Sequence, residues 1–184
     1  MLKPDYPITT ARLVLRRFTE SDLDALHAYH SLPDVARFLL WEARTREESA
    51  QSLKFRIDHP TIEKEGDGVV FAVEHDGELI GEVNLRWLSA EHGSGELGFI
   101  FDPRHHGHGY AREAAVEVLR MGFEQLGLHR IIGRADARNT ASAKLMERLG
   151  MRREAHFVKN EIVKGEWTDE VVYAMLAEEW RART

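Results

Sequence analysis

The alternation of apolar and polar positions changes period several times along the chain, and each change marks a new element. Residues 11–17 set Leu13 and Leu15 against Arg12 and Arg16, the two-residue period of a half-buried strand. Thr19 and Asp22 form a cap-like pair ahead of a helix to about His30, and Thr45 with Glu48 opens a second helix to about Ile57. Gly66 to Gly68 breaks the chain before two strand patterns, 69–75 and 78–87, which flank Asp76-Gly77, a strong hairpin signal. A turn at Gly93 to Gly95 leads into a strand over 96–101. Residues 102–109, rich in Gly and His, precede a helix from Tyr110 to about Leu126, with Ala111, Ala115, Val118, Gly122 and Leu126 along one face. Residues 130–135 read as another strand. Asn139 caps a helix that ends at Leu149-Gly150, and residues 151–175 read as strands around a tight turn at Lys164-Gly165.

Hairpins at both ends around a central strand-helix-strand unit predict an α+β fold, a mixed and mostly antiparallel sheet with helices packed on it. No repeat, low-complexity tract or linker divides the chain, so residues 1–184 are expected to form a single domain. With 43% hydrophobic residues in 184, it has enough apolar side chains for a sizeable core.

Composition narrows the chemistry. The chain has no cysteine, which excludes disulfides and thiolate metal sites and points to the cytoplasm. No stretch approaches the roughly 18 uninterrupted apolar residues of a membrane helix. The formal charge of -6, from 25 Lys plus Arg against 31 Asp plus Glu, argues against binding nucleic acid through its phosphates and mildly suits an amine-bearing substrate.

The most informative segment is Arg104-His105-His106-Gly107-His108-Gly109-Tyr110-Ala111, placed between a strand and a helix. Helix N-terminal amides lack intrahelical partners and the helix dipole favours an anion there. Gly107 and Gly109 remove side chains that would hold a phosphate away and permit the backbone angles that converge several N–H groups. Alternatively, the glycines only make a turn. The segment is neither a nucleotide P-loop nor a dinucleotide fingerprint, since GxxxxGK[ST] and GxGxxG are both lacking. His92, His105, His106 and His108 raise a metal reading, but a tight glycine turn splays such side chains outward, and no metal is expected.

The run Arg104-x-x-Gly107-x-Gly109-Tyr110-Ala111 resembles the [QR]xxGx[GA] coenzyme A pyrophosphate loop of the GNAT superfamily of N-acetyltransferases. Thr10 to Arg16 is similar to the opening strand of the branch that holds the ribosomal-protein N-terminal acetyltransferases. Asn139-Thr140-Ala141-Ser142 with the helix after it, and Trp167-Thr168-Asp169 with Tyr173, resemble further segments of that branch. The resemblance implies a six- to seven-stranded sheet flanked by helices, with two central parallel strands splayed apart. It also implies acetyl-CoA as co-substrate. Backbone groups of Gly98, Phe99, Ile100 and Phe101 would bind the pantetheine, the amides of His105, His106, Gly107, His108, Gly109, Tyr110 and Ala111 the pyrophosphate, and Arg104 a phosphate directly.

Attack on a thioester needs a neutral amine, a polarised carbonyl and a proton for the leaving thiolate. The helix where many relatives carry a Tyr has none here, so Ser142 is the candidate acid and Asn139 a pantetheine ligand; Asn139 as a plain N-cap is the competing reading. Glu96 and Glu82 are the candidate bases, with Glu161 and Asp136 as further options. An α-amine of pKa near 8 is already about a tenth neutral at pH 7, whereas a lysine must lose roughly 4 to 5 kcal/mol of protonation free energy. Lack of an obvious base therefore favours a peptide or protein α-amine acceptor. A polyamine, amino acid or aminoglycoside acceptor, and a non-catalytic acyl-CoA-binding module, remain alternatives. By analogy, Phe38, Trp41 and Arg44 fall in the acceptor-binding segment. A homodimer is possible.

Overall fold

The computed structural model describes residues 1–183. Two short strands, β1 (Ile8–Thr9) and β2 (Val14–Arg16), fold back on each other around Thr10, whose N–H donates to Leu13 O at 2.9 Å. A 3-10 turn at Glu20–Asp22 precedes α1 (Leu23–His30). The predicted Thr19–Asp22 pair is present, with Thr19 N–H donating to Asp22 Oδ2 at 2.7 Å. A four-residue helix not visible in the polarity pattern, α2 (Pro33–Ala36), follows, and then α3 (Arg46–Asp58). Thr45 and Glu48 cap α3 reciprocally, at 3.2 and 2.8 Å.

The central hairpin joins β3 (Gly68–His75) to β4 (Glu78–Ser89). Asp76 and Gly77 have φ of 49° and 81°, the two left-handed residues that a type I′ turn requires. Then come β5 (Ser94–Phe101), α4 (Tyr110–Arg120) running into a π-helical turn at Met121–Gln125, β6 (Arg130–Asp136) and α5 (Thr140–Arg148). A hairpin of β7 (Arg152–Val163) and β8 (Glu166–Leu176) precedes α6 (Ala177–Arg181).

The strands form one sheet in the order β1-β2-β3-β4-β5-β6-β8-β7. It has eight strands where six to seven were expected, because the chain before Val14 contributes the two-residue β1 at one edge. Alternation along β3 shows how the layers arise. Val69, Phe71 and Val73 join a core with Ala115, Val118 and Leu119 of α4 and Met146 of α5, while Ala72 joins Leu26 and Tyr29 of α1 and Leu53 of α3 on the opposite face. Among the described residues no helix is long and apolar enough to cross a membrane.

One feature of the topology matters most for the site. Strands β5 and β6 are the parallel pair, and they are in register only over Ser94–Arg130, Gly95–Ile131 and Glu96–Ile132. Beyond that point β5 stays with β4 as far as Phe101 and β6 stays with β8 as far as Asp136. The expected splay is therefore present. Leu97 to Phe101 on one side and Gly133 to Asp136 on the other have no strand between them.

Candidate active site

The groove between the splayed strands ends at the glycine loop. Gly107 and Gly109 both adopt left-handed angles, φ 82° and 81°, which L side chains rarely adopt. Gly109 is the N-cap of α4, and the first α4 amide to find an acceptor among the described residues is that of Glu113, which donates to Gly109 O at 3.1 Å. The amides of Tyr110, Ala111 and Arg112 thus point out of the helix N-terminus beside those of Gly107 to Gly109. The free set is shifted relative to the expectation. The amides of His105 and His106 close a 3-10 turn onto Asp102 O and Pro103 O, at 3.0 and 3.2 Å, and so are occupied.

The Arg104 side chain also departs from its expected place. Its Nη2 donates to Asp102 Oδ2 at 2.7 Å and lies 3.2 Å from Glu78 Oε1, so two carboxylates neutralise it before any phosphate arrives. Burial works to raise the Asp102 pKa, and hydrogen bonds from Arg104 outweigh this and lower it. Arg104 shapes the loop; it does not extend into it. Arg12 comes closer to the helix start. It donates to His108 O at 3.0 Å, pairs with Glu113 at 2.7 Å and lies 4.7 Å over the Tyr110 ring. The histidines are used locally: His106 bonds Phe101 O at 3.1 Å and His108 stacks on Tyr110. No cluster of His, Cys, Asp or Glu suited to a metal occurs among the described residues.

On the α1/α3 face, register places Glu82, Asn84 and Arg86 of β4 opposite Ile100, Gly98 and Glu96 of β5. Glu82 is 4% exposed and takes two hydrogen bonds from Arg56, at 2.8 and 2.5 Å, with His30 Nε2 at 3.8 Å. Burial alone would raise its pKa; the Arg56 guanidinium, helped by His30, holds it down to about 2. A carboxylate so paired takes up protons poorly, which weighs against Glu82 as a base. Glu96 lies 3.9 Å from Arg134, which also reaches Glu170 at 3.6 Å. Glu170, missed in the sequence, is raised by burial and by Glu161 and Glu96, against Arg134. Asp136 is bound by Arg138 at 2.7 Å and lowered.

Asn139 is the N-cap of α5, its Oδ1 accepting from Ser142 N–H at 3.1 Å. Its amide nitrogen takes no part in that cap and is the group that would meet a pantetheine carbonyl. Ser142 is half-buried in the first turn, where α5 follows the free end of β6.

A cavity of about 640 Å³ opens on the same face, lined by Trp41 and Arg44 from the segment before α3, by Ser52, Phe55 and Arg56 of α3, and by Asn84 of β4. Two of the three expected acceptor-segment residues therefore meet there; Phe38 instead lies under the Arg138 guanidinium, 6.0 Å away. Asn84 faces Gly98 so closely that a Cβ on Gly98 would stand 2.3 Å from Asn84 Oδ1. Arg56, Asn84 and His30 carried no signal in the sequence, because their meeting depends on strand register and on how α1 and α3 lie over it.

Comparison with known proteins agrees with this geometry. The model of the acetyltransferase (GNAT) domain matches residues 12–152. An uncharacterised N-acetyltransferase of Bacillus subtilis, YnaD, is 37% identical over 94% of this chain and 98% of its own. The crystal structure of a GNAT-family acetyltransferase from Bacillus anthracis superposes with a TM-score of 0.85 at 33% identity, covering 97% of this chain and 100% of that one. Spermidine N-acetyltransferase from Vibrio cholerae, in complex with CoA and spermine, does so with a TM-score of 0.78 at 25% identity over 94% and 99%. The splayed strands, the glycine loop at their end and these relatives together establish that the chain belongs to the GNAT family and is an acetyl-CoA-dependent N-acetyltransferase.

Proposed function

We propose that the acetyl group passes directly from acetyl-CoA to a primary α-amine held in the cavity beside Asn84, with no covalent enzyme intermediate. The observation that carries this reading is the parting of β5 from β6 after Glu96, with β5 running on through the glycine loop to the N-terminus of α4. Backbone groups of Gly98 to Phe101 hold the pantetheine, and the amides from Gly107 onward take the pyrophosphate. The amine nitrogen attacks the thioester carbonyl, the carbon–sulfur bond breaks, and Ser142 passes its hydroxyl proton to the thiolate and is reprotonated from solvent. The proton lost by the amine passes to a carboxylate on the open face or to solvent. Glu170, with its raised pKa, suits that role better than Glu82, and Glu96 stands beside it.

A peptide or protein N-terminus supplies such an amine at low protonation cost. Likeness to the Vibrio spermidine enzyme supports a second reading, a small-molecule amine. Lack of cysteine supports a cytoplasmic setting.

The test is CoA-thiol release on adding amines to enzyme and acetyl-CoA, beside melting temperature with acetyl-CoA, ATP or zinc. Ligand at about a hundred times its Kd adds about 2.7 kcal/mol. A rise with acetyl-CoA alone and amine-dependent release support the proposal. No rise at millimolar acetyl-CoA refutes the coenzyme loop, and a rise without release for peptides, amino acids, polyamines and aminoglycosides would leave a binding module.

A further inference from the structure

The charges around the 640 Å³ cavity are only partly paired with one another. Glu82 is matched by Arg56 at 2.5 Å. The Glu48 carboxylate caps α3 through Thr45 N–H at 2.8 Å, and exposed Glu42 lies 3.5 Å from Lys164. Arg44 has no carboxylate within ion-pair distance among the described residues. Its guanidinium is half-buried, stacks 4.2 Å from the Trp41 ring and has a single long contact, 3.4 Å, to His30 Nδ1. Burial and the neighbouring Arg56 act against its charge, and Glu82 and Glu48 favour it only from beyond ion-pair distance. A planar cation stacked on an aromatic face, partly stripped of water and with no carboxylate in direct contact, is a receptor for a carboxylate. On the same wall, Asn84 Oδ1 is a buried acceptor without a donor, beside Gly98 of the splayed strand. The cavity therefore runs from Asn84, which abuts the splayed strand, to a cation that can meet an anion on its lining.

We propose that the acceptor carries a carboxylate as well as the reacting amine, as an amino acid or an acidic peptide terminus does, and that Arg44 reads the carboxylate. This rests on the acetyl-transfer reading above and narrows its substrate class. Polyamines, cationic along their length, place positive charge against Arg44 and are disfavoured.

The experiment compares steady-state rates for matched acceptors, free amino acids against their carboxamides and against spermidine, in wild type and in Arg44→Gln and Arg44→Lys. A charge-assisted contact of ordinary strength gives the free acids an advantage of about tenfold or more in kcat/KM over the amides. Arg44→Gln removes this advantage through KM, costs the acids several-fold more than the amides, and leaves the melting-temperature rise with acetyl-CoA unchanged. Arg44→Lys recovers part of the loss. Equal or better use of amides or spermidine by wild type overturns the proposal, as does a loss in Arg44→Gln that is the same for acids and amides. Either result, obtained with acetyl-CoA binding and CoA release intact, leaves acetyl transfer standing; absence of CoA release with every amine refutes the transfer reading instead.

Discussion

Replacing Glu82 by Gln tests whether the buried carboxylate of β4 is a counter-ion or a base. Glu82 and Arg56 have side-chain exposures of only 6% and 10% and share two short hydrogen bonds. Removing one partner of such a pair strands the other charge in a poorly hydrated place, at a cost of about 3–5 kcal/mol. Gln keeps an oxygen that Arg56 can donate to, which brings the expected loss to about 2–3 kcal/mol. At about 2–4 °C per kcal/mol for a domain of this size, the melting temperature should fall by about 5–10 °C at pH 7.

The pH dependence follows from the direction of the shift. The folded pKa lies below its ordinary 4.5, at about 2, so the stabilisation is fully present above about pH 4.5 and lost as the pH falls through about 2. The gap in melting temperature between wild type and Glu82→Gln should be full at pH 7 and shrink between those limits. Scanning calorimetry across that range measures it. A gap under about 2 °C at pH 7, or one that does not shrink in acid, refutes the counter-ion account. If the variant keeps its stability yet loses more than a hundredfold in kcat with an altered pH–rate profile, Glu82 is the base after all.

Other perturbations probe the remaining parts of the site. Gly109→Val forces a β-branched residue to φ 81° at the α4 N-cap, within reach of Arg12; it should cost about 1–2 kcal/mol of stability and abolish the melting-temperature rise with acetyl-CoA, which thermal denaturation with and without ligand reads directly. Gly98→Ala places a methyl 2.3 Å from Asn84 Oδ1, so the Asn84 side chain must move; acceptor KM should rise at least several-fold, and an unchanged KM would mean that Asn84 does not face the acceptor. Ser142→Ala should lower kcat by about 10²-fold or more while leaving acetyl-CoA binding intact, if Ser142 returns the proton to the thiolate; a loss under fivefold assigns that step to solvent.

What could be read from the sequence divides by the range of the interaction responsible. The Asp76-Gly77 hairpin, the Thr45–Glu48 cap and the Asn139 cap are decided within four residues by backbone angles and local hydrogen bonds, and all three are present. The glycine loop belongs with them, because left-handed φ at Gly107 and Gly109 is a local demand that no other residue type meets cheaply. The charged groups divide otherwise. Arg104, placed on phosphate by its position in the loop, folds onto Asp102 and Glu78, the latter 26 positions away, across the β4 hairpin. Glu82 looked available on a central strand, and Arg56, equally distant along the chain, removes its basicity. A carboxylate's proton affinity is set by whichever cation the fold delivers to it, and delivery depends on helix placement over the sheet, which no local pattern encodes. Arg44 is the converse case. Proximity in sequence to Glu42 and Glu48 suggests a neutralised cation, but the helix cap takes Glu48 and the β7–β8 hairpin takes Glu42 through Lys164. That Arg44 has no carboxylate in direct contact among the described residues is a product of the tertiary structure, and it is there that the acceptor's identity is expected to be read.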